Sequence, residues 1–158
     1  MNKILNFEEI INLKNLFKKD SKAFIRDIKE YLSYLRKEKD IKNFSILIEN
    51  LNEEITDVAP FLAENLNYMF SLMIKKHHYR EVVKYMGIIE KSVSFETMEL
   101  LKSMIAIPNI TRYIENVDIY RIKRLIFETS KRKKNTDNIF LKSSLEIESP
   151  ETDWVYII

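Results

Sequence analysis

The stretch FIRDIKEYLSYL, residues 24–35, sets Phe24, Ile25, Ile28, Tyr31, Leu32 and Leu35 three or four residues apart, with charged residues between them. That spacing lays an apolar stripe along one face of an α-helix and does not match the two-residue alternation of a strand. The segment therefore reads as an amphipathic helix. Upstream, Phe7, Ile10, Ile11, Leu13, Leu16 and Phe17 form a shorter stripe; downstream, Ile41, Phe44, Leu47, Ile48 and Leu51 repeat the pattern. Asp57 is expected to cap a fourth helix with Pro60 in its first turn and Phe61, Leu62, Met69, Phe70 and Met73 beneath it. Lys75-Lys76-His77-His78 reads as a polar connection. A fifth stripe follows through Val82, Val83, Met86 and Ile89, and Ser94 caps a sixth through Met98, Leu101, Met104 and Ile105. Pro108 ends that helix, and Asp118 is expected to cap a last one carrying Ile119, Ile122, Leu125 and Ile126.

The pattern predicts an all-α fold of seven or eight short helices, in a right-handed, armadillo- or HEAT-like orthogonal bundle with an extended C-terminal tail. The helical interaction domain is placed at 1–134 and an acidic, apolar tail at 135–158. At 158 residues, 46% of them hydrophobic and 32% charged, the chain can bury a core without metals or disulfides. One Gly and three Pro argue against tightly turned sheets and against glycine loops that cradle phosphates, since both need the backbone freedom of Gly. No Cys is present, so disulfides, thiolate nucleophiles and sulfur-ligated zinc are excluded. Glu8 and Glu9 interrupt what a signal peptide would need, and no apolar run reaches the roughly 18 residues that span a bilayer. An intracellular, soluble protein is expected.

Net charge is +2, so nucleic-acid binding would need a local patch. Residues 120–134 hold Arg121, Lys123, Arg124, Lys131, Arg132, Lys133 and Lys134 against Glu128 alone, and the tail reverses the sign. The run Lys131-Arg132-Lys133-Lys134 suits a helix C-terminus, a nuclear import signal or a phosphate-binding patch. His77 and His78 are adjacent and point apart on a helix, so they do not form a metal pair. No two carboxylates are marked as an acid–base pair and no Ser sits in a nucleophile elbow. No catalytic residue, no metal ligand and no cofactor is assigned. Tyr31, Tyr34, Phe61, Tyr68, Phe70 and Tyr85 fall mostly on apolar stripes and are expected in the core.

From Phe95 to Ser130, FETMELLKSMIAIPNITRYIENVDIYRIKRLIFETS resembles the last helices of the TFIIS N-terminal-type domain. Leu100, Ser103, Ile105, Ile110, Tyr113, Ile114, Leu125, Ile126 and Glu128 stand at comparable places in that family's pattern. Upstream, IRDIKEYLSYLRKEKDIKNFSILIENL resembles the additional helices of the Iws/Spn transcription elongation factors, which bind the histone chaperone suppressor of Ty six. The resemblance covers about residues 25–130. It implies a nuclear, non-enzymatic scaffold, monomeric on its own, that holds a short linear motif of a histone chaperone partner between helices.

The residues expected to meet the partner are Arg112, Tyr113, Lys123, Arg124 and Trp154. Cations beside a tyrosine steer and anchor an acidic, aromatic-containing segment. Trp154 is the only Trp, in an apolar cluster within a polar, acidic terminus. That tail is expected to dock, on its own basic helix in preference to a partner, since the two are adjacent in the chain. A weak nucleic-acid contact through the basic last helix is the alternative function. A helical decoy resembling Bcl-2 folds ranks last, because neither a central apolar helix nor an Asn-Trp-Gly-Arg type motif is read in the sequence.

Overall fold

The computed structural model describes residues 5–147, and side chains for 5–131; it is all-helical, with no strand among the described residues. The helices are α1 (Phe7–Lys19), α2 (Ser21–Glu38), α3 (Ile41–Val58), α4 (Ala63–Lys75), α5 (Tyr79–Tyr85), α6 (Phe95–Ile105) and α7 (Asn116–Ile147). Single 3-10 turns at Ala59–Leu62, Met86–Ile88 and Ile110–Arg112 join some of them. None of the described helices is long and apolar enough to cross a membrane.

Short polar residues start the helices because their side chains accept the unpaired N–H groups of the first turn. Asn6 Oδ1 accepts from the Glu9 N–H at 2.8 Å while Glu9 Oε1 accepts from the Asn6 N–H at 3.4 Å, a reciprocal capping box. Asp20 caps α2 through the Ala23 N–H at 3.1 Å, Asp40 caps α3 through the Asn43 N–H at 3.0 Å, and Ser94 caps α6 through the Thr97 N–H at 3.1 Å. Only the last of these was expected. With one glycine in the chain, Lys39, His77 and Asn109 take the left-handed backbone positions that turn the chain between elements.

α4 is the hub. Leu66, Met69, Phe70 and Met73 are fully buried in it, and it packs against α2, α3, α5 and α6. Phe70 meets Phe44 of α3 edge-on at 5.9 Å between ring centroids. A central apolar helix is not expected from the sequence, because the apolar residues of α4 are interleaved with Glu64, Asn65, Asn67, Ser71 and Lys75, and its central place comes from packing against four neighbours.

Other expectations are corrected. Asp57 lies inside α3 and caps nothing, while Val58 precedes the turn that holds Pro60. Asp118 sits within the first turn of α7 and its Oδ2 accepts the Glu115 N–H at 3.0 Å, so it reaches backward instead of starting the helix. Phe61, assigned to the core, is 63% exposed on the 3-10 turn. α7 continues to Ile147, so residues 135–147 are helix and not the extended tail expected from 135 onward; residues 148–158, Trp154 among them, lie outside the described residues.

Burial pushes the Tyr31 hydroxyl up to about 12, with Asp40 adding to the effect. A raised phenol contributes stability fully present below its unfolded value near 10, and that stability is lost as pH rises to about 12. The chemical-denaturation midpoint should therefore fall between pH 10 and 12, and fall less steeply in Tyr31→Phe. Parallel curves for the two proteins would refute the assignment.

Candidate interaction groove

Glu64, Asn67, Tyr68, Ser71, Leu72 and Lys75 of α4, with Lys76 directly after it, recur at helical spacing and line the space between α2 and α6. They floor an open groove of about 890 Å³. Arg36 and Lys39, at the C-terminal end of α2, form one wall; Ser92, Ser94, Phe95 and Glu96, at the start of α6, form the other.

The floor is fixed by hydrogen bonds. Asn67, buried on α4, donates through Nδ2 to the carbonyls of Ala63 at 2.8 Å and Ser92 at 2.9 Å, and its Oδ1 accepts the Ser94 N–H at 2.8 Å. Thr97, also buried, donates to the Asn67 carbonyl at 3.3 Å and shares a 2.9 Å hydrogen bond with Ser71. One asparagine thus ties the α6 approach to α4, and Phe95 is presented from a fixed point. The phenylalanine is 70% exposed.

The rim is cationic. Arg36, Lys39, Lys75 and Lys76 surround the groove against Glu64 and Glu96. Arg36 lies 4.5 Å over the centroid of the Tyr68 ring and donates to Glu64 at 3.2 Å and to Asn65 at 3.3 Å. The contact holds the guanidinium over an aromatic wall, and both groups remain partly exposed. Among the described residues, no cluster of three His, Asp or Glu side chains is placed to hold a metal ion.

The site residues expected from sequence fall elsewhere. Arg112 ends the 3-10 turn and is exposed; the half-exposed Tyr113 meets Tyr79 edge-on at 5.8 Å, and its carbonyl accepts from Arg80 Nε at 3.2 Å. Tyr113 lines a hollow with His77, His78 and Arg80. Arg124 lines a different one beside Arg121 and Glu90, and its Nε lies 3.6 Å from Glu128. Lys123, exposed on α7, is one residue away and about 100° around the helix. The four are not brought together in one hollow. Lys131 is exposed, Arg132, Lys133 and Lys134 lie in α7 with side chains outside the described set, and Trp154 lies beyond the described residues.

The groove residues were passed over for a physical reason. Lys75 and Lys76 read as the start of a polar connection and Tyr68 as core, and nothing in the local pattern marks Arg36; only packing of α2 and α6 on either side of α4 makes them neighbours. The single local signal was the Ser94 cap, which places Phe95 at the first, outward-facing position of α6. No protein family, curated protein or solved structure matches the chain.

Proposed function

We propose that the chain is a non-enzymatic protein-interaction module whose groove between α2, α4 and α6 takes an acidic short linear segment with an aromatic or aliphatic anchor. The observation that carries this reading is the pairing of a cationic rim with the Arg36–Tyr68 stack and the exposed Phe95 over a pre-fixed floor. Cations give steering and register, apolar walls give the anchor, and a floor that does not need ordering lowers the cost of binding. The helices are proposed to follow the right-handed, armadillo- or HEAT-like arrangement that presents such a groove.

The finer reading, a nuclear transcription elongation adaptor for a histone chaperone, is supported by the resemblance of residues 25–130 to Iws/Spn factors, with Lys131-Arg132-Lys133-Lys134 as the import signal. A Bcl-2-like decoy gains one of its two features from the central position of α4, while the Asn-Trp-Gly-Arg type motif is absent from the sequence. Nucleic-acid binding is favoured by the exposed Lys123, Arg124 and Lys131 on α7.

A random-peptide display library panned against the protein tests the proposal. Enriched peptides should combine Asp or Glu with an aromatic or aliphatic residue. Lys75→Glu with Lys76→Glu should weaken the best of them at least about tenfold, roughly 1.4 kcal/mol, while Lys123→Glu with Arg124→Glu leaves it unchanged. The opposite ranking would move the site to α7, and affinity for a random oligonucleotide falling steeply with salt would favour the nucleic-acid reading.

A further inference from the structure

The polar connection Lys75-Lys76-His77-His78 is a fixed turn that carries charge. His77 takes the left-handed conformation, φ 66°; its N–H donates to the Ile74 carbonyl at 3.1 Å, and the His78 N–H donates to the Met73 carbonyl at 2.8 Å. These bonds satisfy carbonyls that the end of α4 would otherwise leave open. The turn leaves Lys76 and His77 exposed.

Beyond it lies a second hollow, of about 320 Å³, walled by aromatic rings. His77 and Tyr79 stand 5.4 Å apart between ring centroids, and Tyr79 meets Tyr113 at 5.8 Å. Arg80 Nε donates to the Tyr113 carbonyl at 3.2 Å, which anchors the guanidinium and leaves its two Nη groups without a hydrogen bond among the described residues. Glu81 is the one acid lining the hollow, and its Oε2 lies 3.7 Å from His78 Nδ1. Lys76 and Arg80 face no carboxylate of their own among the described residues, so positive charge is in excess.

Lys76 lines both this hollow and the α2–α4–α6 groove, so the two are neighbours across one side chain. We infer that they form one binding track: the groove seats the anchor of the bound segment, and the hollow seats a separate anionic side chain of the same segment beside Lys76, His77 and Arg80. This track rests on the peptide-binding reading of the groove and adds to it two specificity residues, His77 and Arg80. Helix geometry sets the spacing. Tyr68 and Lys75 are seven residues, about 10 Å, apart along α4, a span that about three residues of extended chain cover. The hollow lies past Lys76, so the anionic residue should stand at least about four residues from the anchor. A carboxylate fits there, and a phosphorylated serine, with about twice the charge and three acceptor oxygens, fits better beside a guanidinium.

The test uses the full chain and the tightest peptide selected from the display library, resynthesised with alanine, glutamate or phosphoserine five residues from its anchor, on either side. On one side, affinity should rise from alanine to glutamate to phosphoserine, by at least about tenfold across the series. His77→Asn, which keeps a residue tolerant of the left-handed turn, and Arg80→Gln, which keeps an uncharged donor near the Tyr113 carbonyl, should each cut that gain at least about threefold and leave the alanine peptide unchanged. Equal affinities across the series, or a gain that persists in both variants, would overturn the inference and leave the groove reading standing. If no peptide of the series binds, or binding survives Lys75→Glu with Lys76→Glu, both fall.

Discussion

Phe70→Ala is expected to destabilise the fold by about 3–5 kcal/mol, the range for deleting a large side chain from a close-packed core. Phe70 is fully buried at the centre of α4 and meets Phe44 edge-on, so its loss opens a cavity between the hub and α3. Domains are stable by only about 5–15 kcal/mol, so the variant should melt about 10 °C lower or fail to fold at physiological temperature. Phe61→Ala is the control. It sits on the same sequence stripe but is largely exposed, and its midpoint should stay within about 0.5 kcal/mol of the parent. Equal losses in the two variants by thermal or denaturant unfolding would contradict the packing described for α4.

Asn67→Ala should cost about 2–3 kcal/mol and weaken peptide binding at least about tenfold. The side chain removed makes three hydrogen bonds, and its deletion leaves the Ser94 N–H and the Ser92 carbonyl without the partner that joins them to α4. Ser94 caps α6 and Phe95 follows it directly, so the groove wall loosens with the floor. Asn67→Asp separates the two roles. It keeps an acceptor for the Ser94 N–H but faces two carbonyls with a carboxylate, and should destabilise without rescuing binding. Unfolding curves together with affinity for the best selected peptide decide the matter: unchanged affinity in a folded Asn67→Ala protein would mean that Asn67 only holds the core.

The helices themselves were legible from local pattern. Phe24, Ile28, Tyr31, Leu32 and Leu35 are all buried on α2, as their spacing implies, and the Ser94 cap and the stop before Pro108 appear where expected. Features that depend on which helix lies in the middle were not. Phe61 and Phe70 are indistinguishable in a one-dimensional stripe, yet one caps a surface turn and the other fills the core. The end of α7 was misplaced because Lys131-Arg132-Lys133-Lys134 reads as a helix-terminating run, although lysine and arginine are good helix formers and do not stop a helix. The groove joins Arg36, Tyr68 and Phe95, which are remote in sequence and meet only through tertiary packing. Sequence could show that cations and tyrosines were present, and it directed attention to Arg112, Tyr113, Lys123 and Arg124 because those lie close along the chain.

The proposed docking surface is the face between α2, α4 and α6. It is tested most directly by titrating isotope-labelled protein with the tightest acidic–aromatic peptide selected from the display library and following backbone amide shifts. The largest shifts should cluster at Arg36, Tyr68, Lys75, Lys76 and Phe95, saturating with the same affinity as the bulk measurement. Shifts confined to Arg112, Tyr113 and the outer face of α7, with the groove amides unmoved at saturation, would contradict it.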